Sequence, residues 1–257
     1  MAVLLAFFAF APPPPNAPIP RDPAALAARL DSTSQDLGVA IDRWRPRTGR
    51  VPEDVTLYAL YQQRILLLLS GRPKLASAVF SRLRGSPLRA EVLARRELGR
   101  LSRPRPLKAF RTGRAEPADR LRRYYLAAQR RFGVAWNVLA AVNYVESAFN
   151  KLRNSSTAGA QGPMQFIPST WRRYGLGGNV HDPRDAVLGA ANYLHANGAP
   201  RNYRRALYRY NPSWLYVDAV LRYASRIRAD PRAYYVFYSR QVFVRTPRGL
   251  VRLTGPR

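Results

Sequence analysis

Residues 136–171 read WNVLAAVNYVESAFNKLRNSSTAGAQGPMQFIPSTW. The run 136–145 carries no charge and is apolar almost all round, the pattern of a helix enclosed by the rest of a core. It ends in Glu146, the one acidic residue between Asp119 and Asp182 in a chain dense in arginine. Burial disfavours an ionised carboxylate and raises its pKa. A glutamic acid that keeps its proton near neutral pH can serve as a general acid. The bland alternative for such a residue is a helix-end carboxylate paired with a neighbouring arginine, and the apolar run before Glu146 argues against it. A loop of small residues then leads into Gly162-Pro163-Met164-Gln165-Phe166.

Other catalytic chemistries are absent. There is no cysteine, which excludes a disulfide scaffold, thiolate-bound zinc and a thiol nucleophile. The two histidines, His181 and His195, stand apart, and no HExxH, P-loop, GxSxG or calcium-loop motif occurs. No metal and no cofactor is expected. Glycoside hydrolysis ordinarily uses two carboxylates. Asp182 and Asp185 lie at the strong helix start Asp182-Pro183-Arg184-Asp185 and read as caps. A lone Glu146 therefore points to chemistry in which a group on the sugar replaces the second carboxylate.

The chain has 257 residues and a formal net charge of +28, almost all from arginine, with lysine only at Lys74, Lys108 and Lys151. Such a charge favours an anionic partner: nucleic acid, anionic lipid or an acidic wall polymer. A coding bias toward arginine is an equal reading. The basic residues are scattered rather than gathered on one helix face, so nucleic acid is not expected as the partner. Residues 2–11 form an apolar run of signal-peptide length, closed by the small-x-small triplet Ala9-Phe10-Ala11 but lacking a basic start. Export to the cell envelope or beyond is expected.

Taken in order, 1–23 is the apolar segment and a proline-rich, extended, poorly packed linker. Residues 24–115 read as an accessory region of helices, with breaks near Ser70-Gly71 and at 102–106. Residues 116–232 hold the central helices, begun by Pro117-Ala118-Asp119 and closed by Asp230-Pro231. Residues 233–257 change period: 234–245 reads as a strand, 246–249 as a turn, and 250–253 can pair back as a small β-hairpin. The fold class is mainly α.

Three motifs then stand in order. Glu146-Ser147, followed by Ala148-Phe149-Asn150, resembles the catalytic Glu-Ser motif of the lytic murein transglycosylases, whose catalytic domain has a goose-type-lysozyme-like helical fold. Gly162-Pro163-Met164-Gln165-Phe166 is similar to that family's Gly-Leu-Met-Gln motif, with proline in place of leucine. Ala206-Leu207-Tyr208-Arg209-Tyr210-Asn211 resembles its Ala-x-Tyr-Asn segment. The resemblance covers about 117–230. It implies action on peptidoglycan glycan strands; a monomer is expected, with anionic wall polymers as further partners that the charge suggests. Glu146 would protonate the bond between N-acetylmuramic acid and N-acetylglucosamine, then act as base while a 1,6-anhydro sugar closes. Ser147 would hydrogen-bond near the cleavage subsite. Met164 and Gln165, with Phe166 in the same motif, would line the wall for the acetamido group. Tyr210 would orient Glu146, and Asn211 would support it or the sugar. A lysozyme-type hydrolase of the same bond, a basic helical nucleic-acid binder and a catalytically idle wall-binding domain are the alternatives.

Overall fold

Asp22 ends the proline-rich segment and starts the first helix: its carboxylate accepts the Ala25 N–H at 2.8 Å, satisfying one of the free donors of a helix start. The computed structural model describes residues 11–45, 47–154, 156 and 159–256. The apolar segment 2–11 therefore lies almost wholly outside the described residues. Helix α1 is Pro23–Arg43, followed by α2 (Glu53–Gly71), α3 (Pro73–Arg82) and α4 (Leu88–Leu101). The linker before α1 is not loose. Arg64 donates to the carbonyls of Pro15 and Ala17, and Tyr61 to that of Pro18. The reason is that Pro carbonyls remain free acceptors even where the ring removes the N–H.

The central helices are α5 (Ala118–Phe132), α6 (Trp136–Ser147), α7 (Pro168–Tyr174), α8 (Pro183–Ala196), α9 (Tyr203–Tyr210) and α10 (Trp214–Ala229). Gly133 ends α5 in the left-handed conformation. As the uncharged run predicts, residues 137–143 of α6 are all buried. Helix α10 packs on α6 on one side and on α4 on another, and α5 packs on α8. One apolar core joins Leu37, Ile41, Trp44 and Val55 of the N-terminal part to Leu139, Val187 and Val220 of the central helices. The core thus runs across residue 115. A second cluster, including Leu30, Ile65 and Phe80, fills the space among α1, α2 and α3.

The cap at Asp182 forms as its sequence indicates, with Oδ1 accepting the N–H groups of Arg184 and Asp185. Asp182→Ala is expected to cost about 1 kcal/mol of stability, measured as a small fall in Tm.

The C-terminal region departs from expectation. Residues 234–239 are not strand: α11 is Arg232–Ser239, started by Asp230, whose carboxylate accepts the Arg232 N–H. The strands are shorter, β1 (Phe243–Thr246) and β2 (Gly249–Arg252), antiparallel with Thr246 opposite Gly249. Aromatic residues favour strands only where a pleated surface is there to be covered. Here Tyr234, Phe237 and Tyr238 recur at helical spacing and are enclosed by α1, α2, α6 and α10. Among the described residues, no helix is long and apolar enough to cross a membrane.

Candidate active site

Glu146 is the last residue but one of α6 and is half-buried. Oε1 accepts a 2.6 Å hydrogen bond from the hydroxyl of Tyr216, a buried residue of the first turn of α10. Burial pushes the Glu146 pKa up to about 7, and the Tyr216 bond pulls partly the other way. The C-terminal end of α6 carries a partial negative charge and also disfavours a second one beside it. Burial, with the nearby Glu146 charge, holds the Tyr216 and Tyr210 hydroxyls well above their ordinary pKa. Tyr216 therefore remains a donor.

The chain leaves α6 through three consecutive left-handed residues, Ala148, Phe149 and Asn150, with φ of 50°, 63° and 66°. None is glycine, so each is sterically disfavoured and must be held by its surroundings. Phe149 is fully buried against Tyr144, Tyr234 and Tyr238. Lys151 donates to the carbonyls of Tyr238 and Arg240, tying the turn to the end of α11. Burial lowers the Lys151 pKa to about 7.

Ser147 is buried and faces inward. Its hydroxyl donates to the Pro163 carbonyl at 2.6 Å and accepts the Asn150 N–H at 2.9 Å. Asn143 donates to the same carbonyl at 2.8 Å and accepts from Tyr125. These bonds lock the 162–166 loop onto α6. The loop is closed by paired bonds between Gln161 and Phe166. Inside it, the Gln165 N–H donates to the Gly162 carbonyl, which places Pro163 second in a β-turn. That position suits the fixed φ of proline and needs no N–H, so the exchange of leucine for proline leaves the turn intact. Gly162 has φ +75°, and a Cβ there would stand 2.0 Å from the Val180 carbonyl oxygen, so a side chain is excluded.

Of the residues expected at the site, Met164 and Phe166 are buried, and the Phe166 ring packs on Trp171 and Tyr210. Gln165, at φ 50°, is partly exposed and donates to the Asn154 and Gly162 carbonyls. Tyr210 does not bond Glu146: its hydroxyl donates to the Met164 carbonyl at 2.6 Å. It sets the loop, and Tyr216 meets the acid. Asn211, partly exposed, caps the end of α9. Ser147 turns inward, where the Pro163 carbonyl takes its proton. Sequence reading missed Tyr216, since a tyrosine on the apolar face of a helix looks like packing. Its one signal is its place after the Ser213 cap, in the first turn.

Residues 123–225 match the family described as transglycosylase SLT domain. The match spans less than half of the chain. Glu146, the 162–166 loop, Tyr210 and Tyr216 all lie within it, and α1 to α4, α11 and the hairpin lie outside. The chain is also similar to a protein named membrane-bound lytic murein transglycosylase F from Thiobacillus denitrificans, at 38% identity over 74 residues. A second relative is membrane-bound lytic murein transglycosylase F 1 from Alkalilimnicola ehrlichii, at 29% over 161 residues. The matched segments cover 29% and 56% of this chain, but only 15% and 32% of those relatives. No solved structure matches the chain significantly.

Within the matched segment, the Glu146 pKa reflects burial and one hydroxyl, and no second carboxylate among the described residues contributes to it. No cluster of three or more histidines and acids that could hold a metal occurs among the described residues. Tyr216→Phe removes the bond that favours the ionised form and frees the carboxyl to rotate. The Glu146 pKa is expected to rise further, and any activity that depends on Glu146 to fall roughly tenfold. A pH–rate profile whose alkaline limb stays in place would show that Tyr216 does not act on Glu146.

Proposed function

We propose that the protein is a lytic transglycosylase of the cell envelope that cleaves the β-1,4 bond between N-acetylmuramic acid and N-acetylglucosamine in peptidoglycan. The observation that carries this reading is a single carboxyl group, held by Tyr216 and raised by burial to a pKa of about 7, to which no carboxylate among the described residues contributes. Glu146 gives its proton to the glycosidic oxygen as the C1–O bond breaks. The 2-acetamido carbonyl oxygen of the muramic residue bonds to C1 and takes up the developing positive charge, as an oxazolinium-like species. Glu146, now ionised, removes the proton of the C6 hydroxyl, and that oxygen displaces the acetamido oxygen at C1. A 1,6-anhydro sugar results, Glu146 regains its proton, and no water is consumed.

The relatives' names, which place them at a membrane and on murein, support the substrate and the location. In this reading Gln165 and Asn211, the partly exposed residues of their motifs, face the sugar. Ser147, Met164, Phe166 and Tyr210 shape the wall behind it. The positive charge helps retain the protein on the anionic wall. Mass spectrometry of digested sacculi tests the proposal. Anhydro-ended muropeptides are expected, and reducing ends alone would make the protein a hydrolase.

A further inference from the structure

Trp214 is the first residue of α10 and is 52% exposed, among the most exposed large apolar side chains of the protein. Its indole stacks on Tyr208 of α9, with ring centres 4.5 Å apart and planes at 28°. The Arg204 guanidinium lies 5.2 Å from its ring centre. Asn202, Arg204, Arg205, Tyr208, Arg209 and Trp214 line one open hollow of about 480 Å³. Arg204 is paired with Asp218 at 2.7 Å, but Arg205 and Arg209 have no carboxylate partner among the described residues. The hollow is thus an aromatic pair rimmed by two uncompensated cations.

It is not the cleavage site. Tyr208 precedes Tyr210 by two residues on α9, and Trp214 precedes Tyr216 by two on α10. Two residues turn a helix by about 200°. The inner faces of α9 and α10 therefore serve Glu146 and its loop, while the outer faces of the same two helices make the hollow.

We infer that this outer face is a second contact surface for the glycan strand, which the protein grips beyond the bond it cuts. The inference rests on the reading of peptidoglycan as substrate. A pyranose ring offers a flat C–H face that an exposed indole can cover, and polar edges that a guanidinium can hydrogen-bond. The stem peptides of the strand end in carboxylates, which match Arg205 and Arg209 as planar, bidentate donors. Because the aromatic pair is stacked and braced before any ligand arrives, little side-chain freedom remains to be lost on binding.

The test is co-sedimentation with purified sacculi, using Glu146→Gln protein so that cutting does not intervene. That protein is compared with the same protein carrying Trp214→Ala, and separately Arg205→Gln with Arg209→Gln. The arginine pair is exposed, so it probes the surface even if the tryptophan change disturbs the start of α10. Affinity for sacculi is expected to fall about tenfold in each. Unchanged affinity in both, or no binding of sacculi by the Glu146→Gln protein, overturns the inference. So does preferential binding of a single-stranded oligonucleotide that is lost in the same variants, which would make the face a nucleic-acid surface. The products of the unmodified protein, read separately, decide the cleavage chemistry whatever the binding result.

Discussion

Glu146→Gln is expected to remove anhydro-muropeptide formation, with a rate loss of at least about a thousandfold, the upper part of the usual range for a general acid. Glutamine keeps the shape and can still accept from Tyr216, but it has no proton to give and cannot take one from the C6 hydroxyl. The same substitution should stabilise the fold at neutral pH. A carboxyl group whose pKa is about 7 folded and 4.5 unfolded binds its proton more tightly in the folded state. Stability is then full below about pH 4.5, falls as pH rises toward 7, and is level above that. A fully enclosed group with this shift would cost about 3 kcal/mol, and the solvent at the open edge of Glu146 reduces this to roughly 1–2 kcal/mol. Thermal unfolding should show the glutamine protein gaining at pH 7.5 and not at pH 4. The rate of the unmodified enzyme should be level in acid and fall about tenfold per unit above pH 7, because the protonated form starts the reaction. Retained anhydro products in the glutamine variant would remove Glu146 from the mechanism.

Glu91→Ala is expected to lower stability by about 3–5 kcal/mol. Glu91 and Arg240 are each 1% exposed and meet at 2.5 Å. Arg226 of α10 lies 3.6 Å from the other Glu91 oxygen. Arg240 also donates to Gln62 of α2 and to the Tyr144 hydroxyl of α6, and Arg95 of α4 donates to that same hydroxyl. Burial by itself would lower the Arg240 pKa, and Glu91 and Tyr144 more than reverse this. Removing the glutamate leaves the Arg240 guanidinium enclosed without a counter-charge, and Arg226 with Asp230 alone, which is the costly way to break such a pair. A Tm lower by roughly 10 °C should result. Pairing Glu91→Leu with Arg240→Met should restore much of the loss, since an apolar replacement leaves Arg226 alone, and Asp230 still pairs with it. An unchanged Tm in Glu91→Ala would mean that the cluster does not join these helices. The cluster also gives the N-terminal helices a physical task. Through α4 they hold α6, which bears Glu146, and α10, which bears Tyr216.

What the sequence by itself determined is local. Asp182 announces its helix, Gly133 ends one, and the uncharged run 136–145 declares an enclosed helix. The position of Glu146 at its end already implies a raised pKa. All of these depend on residues within a turn or two of one another, where spacing and composition suffice. The tertiary structure decided the rest. Tyr216 rather than Tyr210 meets the acid, across 70 residues, and Ser147 turns inward to hold Pro163, 16 residues on. Arg240 finds Glu91 across 149 residues, and 232–239 coils because other helices surround its aromatic rings. A hydroxyl or guanidinium has the same identity wherever the chain carries it, and only packing determines which acceptor lies within hydrogen-bonding distance once water is excluded.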